Sequence, residues 1–258
     1  MRPNKVKQIW DRGQAAVNGW LSIPSALVAE TVAQCGFDSI TIDMQHGAID
    51  YQDAWAMLTA ISTTNTTPFV RVPWREPGVI MKALDAGAYG IICPMVNTAA
   101  EAADFVSACR YAPAGRRSYG PLRAKLYGGS DYQEHANDTI VTMAMIETRE
   151  AAENVREIVA VPGLDAVYIG PSDLSLALGH APKFDHPPGP VFDVITDILD
   201  AARAQGIRAG IHNGTSEYAV QMIEQGFAFV SLSTELRLMT ERIEQVLSVF
   251  EDRPTDSE

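Results

Sequence analysis

The chain has 258 residues, 47% of them hydrophobic, and 32 acidic against 20 basic residues leave a net charge of −12. That length suits one α/β barrel or two small domains, with apolar residues enough for a large core. An acidic balance without a basic run argues against nucleic acid and anionic membranes as partners; a small, locally positive site still admits an anionic substrate.

Residues 4–12 read as a short helix with Val6, Ile9 and Trp10 on one side. The opening stretch, MRPNKVKQIWDRGQ, is too polar for a signal peptide, and no apolar run is long enough to span a bilayer. Strand and helix patterns then alternate. Val17–Ile23 reads as a strand, and Pro24–Gln34 as a helix that Pro24 starts and Gly36 ends. Ser39–Asp43 is the second strand and Tyr51–Ile61 a helix; Pro68–Val72 is the third strand, and Pro77–Asp85 a helix closed by Gly87. Gly90–Val96 is the fourth strand, and Thr98–Arg110 a helix on which Thr98 and Glu101 have capping-box spacing. Residues 112–138 read as a long polar loop, of the kind that is functional or mobile in a compact domain. Thr139–Ile146 and Ala166–Ile169 fit buried strands five and six around a helix over Arg149–Val159. After an irregular stretch at 180–190 come a helix (Phe192–Gln205), a strand (Arg208–Ile211), a helix (Ser216–Gln225), the eighth strand (Phe227–Leu232) and a last helix (Leu236–Phe250). Residues 252–258 read as a disordered tail.

Eight strands alternating with helices predict a single (β/α)8 TIM barrel over 1–258, with an extra N-terminal helix. A doubly wound sheet would want a Gly-rich phosphate turn after the first strand, where the chain reads SIPSALV. There is no GxxxxGK[ST], GxSxG or HExxH either. Cys35, Cys93 and Cys109 share no CxxC spacing. Cys35 and Cys93 sit in apolar contexts, as buried free thiols do, and the odd count points to a reducing, cytoplasmic compartment.

In such a barrel the chemistry sits at the carboxyl ends of the strands. Glu147 closes the fifth strand, and Asp173 follows the sixth across Gly170-Pro171-Ser172. Neighbouring strands lie about 4.8 Å apart, so the two carboxylates can converge on one ion, and oxygen ligands suit Mg²⁺ or Mn²⁺. Helix capping is the competing reading for either acid alone. Arg71, inside the apolar FVRVP, is either a structural ion pair or an anion clamp, and its bidentate geometry favours the clamp. His46, with Asp43 three residues earlier to orient it, is a candidate base. Lys82 falls in a helix and Lys125 and Lys183 in loops, which disfavours a Schiff base. The set fits proton abstraction or C–C cleavage beside a carbonyl.

Six stretches, ITIDMQHGAID, FVRVPW, ALDAGAYGIICPMV, RYAPAGRRSYG, MIETREAAENV and AVYIGPSDLSLALG, in this order and spacing, resemble the metal-dependent class II pyruvate aldolases of the HpcH/HpaI type. The resemblance runs along nearly the whole chain. It implies a homohexamer built as a trimer of dimers, with the C-terminal helix exchanged between subunits, and Mg²⁺, Mn²⁺ or Co²⁺ held by Glu147 and Asp173. It implies pyruvate as the ligand, its keto oxygen facing Arg71 and its carboxylate received by backbone N–H groups around Gly170, Pro171, Ser172 and Asp173. His46, oriented by Asp43, is then the base for the aldol hydroxyl. Asp85 matches a position that reaches a neighbouring subunit's site, with a last-turn acid as the competing reading. Arg117 matches an arginine at the mouth of the site; it or Arg123 would select the acceptor, unless both are solvated loop charges. The chain departs from the family pattern at Gln45 (usually an acid), Met145 (often glutamine) and His212 (commonly apolar), all beside the site. The expected activity is reversible cleavage of a 4-hydroxy-2-oxo acid into pyruvate, or hydroxypyruvate, and an aldehyde. Oxaloacetate decarboxylation at the same site is the alternative, and a non-catalytic barrel subunit a third reading.

Overall fold

The computed structural model describes residues 1–250. Its eight strands are β1 (Ala16–Leu21), β2 (Ser39–Asp43), β3 (Thr67–Arg71), β4 (Gly90–Cys93), β5 (Val141–Ile146), β6 (Ala166–Ile169), β7 (Arg208–Asn213) and β8 (Phe229–Leu232). Each runs parallel to the next, and β8 pairs with β1 to close the barrel, with Ala16 opposite Phe229. The expected (β/α)8 barrel is therefore present.

The strands read as continuous apolar runs because both faces are covered. Outward residues such as Ile40, Ile42, Val70 and Val167 pack under the helices. Inward residues, among them Trp20, Phe69, Met143, Tyr168 and Phe229, fill the barrel. Gly90 has to be a glycine, since a Cβ there would stand 2.1 Å from the ring of Phe69. The N-terminal helix Lys5–Asp11 adds Val6, Ile9 and Trp10 to the inner cluster, beside Ala16, Val141 and Ala166 at the strand starts. Trp10 also donates its indole N–H to the Ala228 carbonyl at 2.7 Å. This end of the barrel is thus plugged, and only the opposite end is free to hold a site. Between plug and site runs a buried polar layer: Ser39 and Thr41 donate to Asn18 Oδ1 at 2.9 and 3.1 Å, and Asn18 Nδ2 donates to Ser231 Oγ at 2.9 Å.

Several boundaries differ from those read in the sequence. Residues 112–138 are not one loop: they contain helices Ala124–Gly128 and Tyr132–Thr139. The second takes Thr139 away from β5. Tertiary contacts hold these polar segments, including Asn137, whose side chain bonds both the N–H and the carbonyl of Tyr111. The helix expected over Arg149–Val159 is two, Arg149–Glu153 and Val155–Val159, broken at Asn154, whose side chain donates to Asn97 O. β7 extends to Asn213, because Asn213 Nδ2 bonds the Ile211 and Ser231 carbonyls and its position pairs with Leu232. Thr98 caps its helix by accepting the Glu101 N–H, but the Glu101 carboxylate reaches Asn97 N and Arg75 instead of completing a box. Cys93 and Cys109 are buried, whereas Cys35 is exposed beyond the last buried residue of its helix, Ala33. The tail expected at 252–258 lies outside the described residues.

Among the described residues the last helix, Glu235–Ser248, is tied to the barrel at its start. Glu235 accepts the Ser22 and Ile23 backbone N–H groups at 2.7 and 2.6 Å, tying the end of β1 to the helix. Beyond that, Leu236, Leu238, Met239, Ile243, Val246 and Leu247 are exposed.

Candidate active site

Asp43 and Arg71 end β2 and β3 and stand opposite each other in register. Arg71 donates from Nε to Asp43 Oδ1 at 2.8 Å and from Nη2 to Oδ2 at 2.5 Å. Both are buried, and an arginine here is affordable only because the fork is matched by a carboxylate. The Trp20 ring lies under the guanidinium, 4.8 Å from its centroid, and the Trp20 N–H donates to Asp43. Burial alone would raise the Asp43 carboxyl; the Arg71 hydrogen bonds and charge, with the Trp20 and Gln45 N–H groups, outweigh it and hold the group below its usual range. The ion-pair reading of Arg71 is therefore realised, while Nη1 makes no hydrogen bond to any described residue and the side chain lines the cavity.

Asp43 touches His46 through the backbone: its Oδ1 accepts the N–H groups of Gln45 and His46 at 3.0 and 3.3 Å. It thus shapes the turn that carries the imidazole and does not bond the ring.

Glu147 follows β5 and is buried. Its Oε1 accepts the Met95 N–H at 2.8 Å. Met95 holds a φ of 55°, a left-handed conformation that costs a non-glycine residue about 1–3 kcal/mol and that aims this N–H at the carboxylate. Oε2 has no hydrogen-bond partner among the described residues and stands 2.6 Å from where a Gly170 Cβ would be. Burial pushes the Glu147 carboxyl up to about 7, against the Met95 N–H; the like charge of Asp173 adds to the rise and Arg71 opposes it. Asp173 lies in the first turn of a helix, Pro171–Ala177, to which the sequence reading had assigned no element.

This donor set fits a divalent cation. One oxygen of the Glu147 carboxylate is unspent and not sealed off, glycine keeps the space before it clear, and a second carboxylate is near enough to raise its affinity for protons. Among the described residues no cluster of three or more His, Cys, Asp or Glu could hold a metal. An ion here would rest on two carboxylates, with water and substrate oxygens completing its shell, as suits hard cations. Gly170→Ala is accordingly expected to weaken Mn²⁺ binding about 10- to 100-fold, since the added methyl would also stand 3.0 Å from Met145 Cε and force a shift worth about 1–3 kcal/mol. Calorimetric titration measures this, and unchanged affinity would refute the assigned role of the glycine.

A cavity of about 390 Å³ brings together Asp43, His46, Arg71, Gly170, Pro171, Ser172, Asp173 and His212. Glu147 stands behind Gly170 and not in the cavity wall. Asp85 and Arg117 are elsewhere: Arg117 donates to Asp85 Oδ1 at 2.6 Å, covers the Tyr111 ring and reaches the Tyr132 hydroxyl. Burial raises the Asp85 carboxyl, and Arg117 works against that rise. Arg123 is not a solvated charge but donates to the Ala86 and Leu58 carbonyls. The sequence reading missed Trp20, Tyr168, Phe184 and Leu236, and of these Trp20 and Tyr168, aromatics inside the strands AVNGWL and AVYI, carried a signal.

A model of the HpcH/HpaI aldolase/citrate lyase family matches residues 18–241. The chain belongs to that family. It is 46% identical, over 95% of its length and 98% of the relative's, to the hydroxypyruvate/pyruvate aldolase of Rhizorhabdus wittichii. It is 36% identical, over 94% of its length and 95% of the relative's, to the 2-dehydro-3,6-dideoxy-6-sulfogluconate aldolase of Pseudomonas putida. The crystal structure of a family protein from Burkholderia cenocepacia superposes with a TM-score of 0.89 at 32% identity, covering 96% of this chain and all of that one. The chain is a carbon–carbon lyase of the aldolase kind, from a metal-dependent family.

Proposed function

We propose that this aldolase cleaves a 4-hydroxy-2-oxo acid reversibly into an aldehyde and pyruvate or hydroxypyruvate, with Mg²⁺, Mn²⁺ or Co²⁺ held by Glu147 and Asp173. The observation that carries the reading is the buried Asp43–Arg71 fork, open at Nη1, in the cavity to which Asp173 belongs. The cation, when bound, supplies Lewis-acid polarisation of the 2-oxo group. The Ser172 and Asp173 N–H groups, unspent in the first turn of their helix, receive the substrate carboxylate. Arg71 faces the 2-oxo oxygen, where negative charge develops. His46 takes the C4 hydroxyl proton; the C3–C4 bond breaks, the aldehyde leaves, and its electron pair passes to the enolate of the 2-oxo acid, which is protonated at C3. Proton exchange at pyruvate C3, followed by NMR with EDTA and then with each cation, tests the reading. Metal-dependent exchange is expected; silence with all three cations and no retro-aldol activity would refute it.

A second test needs no turnover. Because the metal-free Glu147 carboxyl titrates near 7 and not near 4.5, the folded chain holds that proton more tightly than the unfolded chain. The stability it confers is complete below about pH 4.5 and is lost as pH rises through 7, amounting to roughly 3 kcal/mol. EDTA-treated wild type is expected to lose Tm between pH 5 and 8 relative to Glu147→Gln, and Mg²⁺ to restore it at the higher pH. Parallel Tm profiles for the two proteins would contradict the burial argument.

The proposed assembly is a homohexamer built as a trimer of dimers, in which the last helix, with its exposed apolar residues, packs on another copy. In that assembly Asp85, held by Arg117, would face a neighbouring subunit's site. Light scattering of the full chain reads the number of subunits directly.

A further inference from the structure

His212 lies near the end of β7, buried, with its ring edge against Trp20 at 5.0 Å and the Phe184 ring 4.8 Å away. Its Nδ1 is 3.2 Å from the Tyr168 hydroxyl, which is 2.8 Å from Ser231 Oγ. Those two contacts continue the polar layer inside the barrel. Counting hydrogens along it fixes its direction. The hydroxyls of Ser39 and Thr41 have Asn18 Oδ1 as their acceptor, so the Asn18 amide presents its NH2 to Ser231. Ser231 Oγ is then an acceptor from Asn18, and its own hydrogen has one acceptor among the described residues, the Tyr168 oxygen. Were Tyr168 to spend its hydrogen on Ser231, the Ser231 hydrogen would be buried without a partner, at a cost of about 1–3 kcal/mol. In the opposite direction every hydrogen is placed: Ser231 donates to Tyr168, and Tyr168 donates to His212 Nδ1.

A neutral imidazole that accepts at Nδ1 carries its hydrogen on Nε2. The ring does stay neutral: burial, helped by the Arg71 charge, pushes His212 down to about 3. Nε2 bonds no described residue and is not among the buried polar atoms left unpartnered, so it opens on the cavity that His212 lines. The Trp20 and Phe184 rings flank the imidazole, in a cavity wall whose charged groups are Asp43, Arg71 and Asp173. One neutral N–H donor between two aromatic rings matches a substrate carbon that carries a single acceptor oxygen.

Resting on the aldolase reading above, we infer that His212 selects the 2-oxo acid donor: its Nε2–H, fixed by the chain Asn18–Ser231–Tyr168, donates a hydrogen bond to an oxygen on C3, favouring 3-hydroxy-2-oxo acids over pyruvate. Tyr168 is a positioning residue here, acting on the substrate only through His212. A site built to bond a substrate hydroxyl discriminates against the analogue without it, because its own polar group is then left unpaired. Removing the donor removes the discrimination.

The test compares C3–H/D exchange of hydroxypyruvate and pyruvate in Mg²⁺-loaded wild type, His212→Leu, His212→Gln and Tyr168→Phe. The hydroxypyruvate-to-pyruvate ratio of kcat/KM is expected to fall at least tenfold in His212→Leu, to recover partly in His212→Gln, whose amide still donates, and to fall in Tyr168→Phe. Nitrogen NMR of histidine-labelled protein reads the tautomer without turnover; there are five histidines, and His212→Leu assigns the signal. The Nε2–H form is expected in wild type, with its loss in Tyr168→Phe. An Nδ1–H signal, or a ratio unmoved in both His212 variants, would overturn the inference and leave the aldolase reading standing. Wild type silent toward both donors with every cation would overturn the two together.

Discussion

Arg71→Ala is expected to lower kcat/KM for retro-aldol cleavage about 10³-fold, the scale of losing one fixed donor to a developing oxyanion. The loss should fall on kcat more than on KM, because the guanidinium does most where charge appears during the reaction. It should also cost stability. Asp43 is buried, and without Arg71 its carboxylate keeps only the Trp20 N–H and the backbone N–H groups of Gln45 and His46. Removing one partner of a buried pair costs about 3–5 kcal/mol. Arg71→Lys keeps the charge but has one nitrogen to serve both Asp43 oxygens, so it should recover stability better than activity. Pairing Arg71→Ala with Asp43→Asn separates the two effects: the double variant should regain Tm, since no unpaired carboxylate remains, and stay inactive. Restored activity in the double variant would mean that Arg71 is structural and that the cleavage relies on other groups.

Glu147→Ala should remove metal-dependent turnover, by about 10³-fold or more, since in the proposed site one of two protein ligands is then gone and Lewis-acid polarisation is worth several kcal/mol. Mn²⁺ binding should weaken in parallel. The variant should fold, and the deficit of the metal-free protein against wild type should be largest below about pH 4.5 and shrink as pH rises to 7, where wild-type Glu147 loses its proton. The Met95 N–H, relieved of its acceptor, no longer has reason to hold a left-handed backbone. A fully active Glu147→Ala would remove the carboxylate pair from the mechanism and with it the main argument for the cation.

The barrel was legible because its strands are covered on both faces. SITID, GIIC and AVYI are short apolar runs between helical patterns, and the alternation leaves few other architectures. Glu147, Asp173, Arg71 and His46 were legible as candidates because they are titratable groups at or just past the ends of such runs. What escaped was set by tertiary contact. Tyr132–Thr139 is polar and weakly patterned, and it is held by Tyr132 under Arg117 and by Asn137 against Tyr111. The partner of Arg71 lies on another strand, so the choice between ion pair and clamp stayed open, and Asp43 was paired with His46 on proximity in sequence alone. Met95 gives no sign of its backbone angle. His212 stood out as an oddity, but its meaning needed Asn18, Ser231 and Tyr168, which come from three different strands.

The seam between β8 and β1 also orders how the site comes into being. Asp43, Arg71, Glu147 and Asp173 all lie between β2 and the turn after β6, whereas Trp20 comes from β1, His212 from β7 and the anchor Glu235 from beyond β8. A nascent chain that has emerged through residue 180 holds the whole charged set and Trp20, but neither His212 nor Glu235. The cup around the substrate is completed only when the last strand finds the first, over 200 positions earlier in the chain, a late and slow kind of contact. Catalysis therefore doubles as a reporter of ring closure. Two fragments split in the 180–190 stretch should regain activity only on reassociating, at a rate set by that seam.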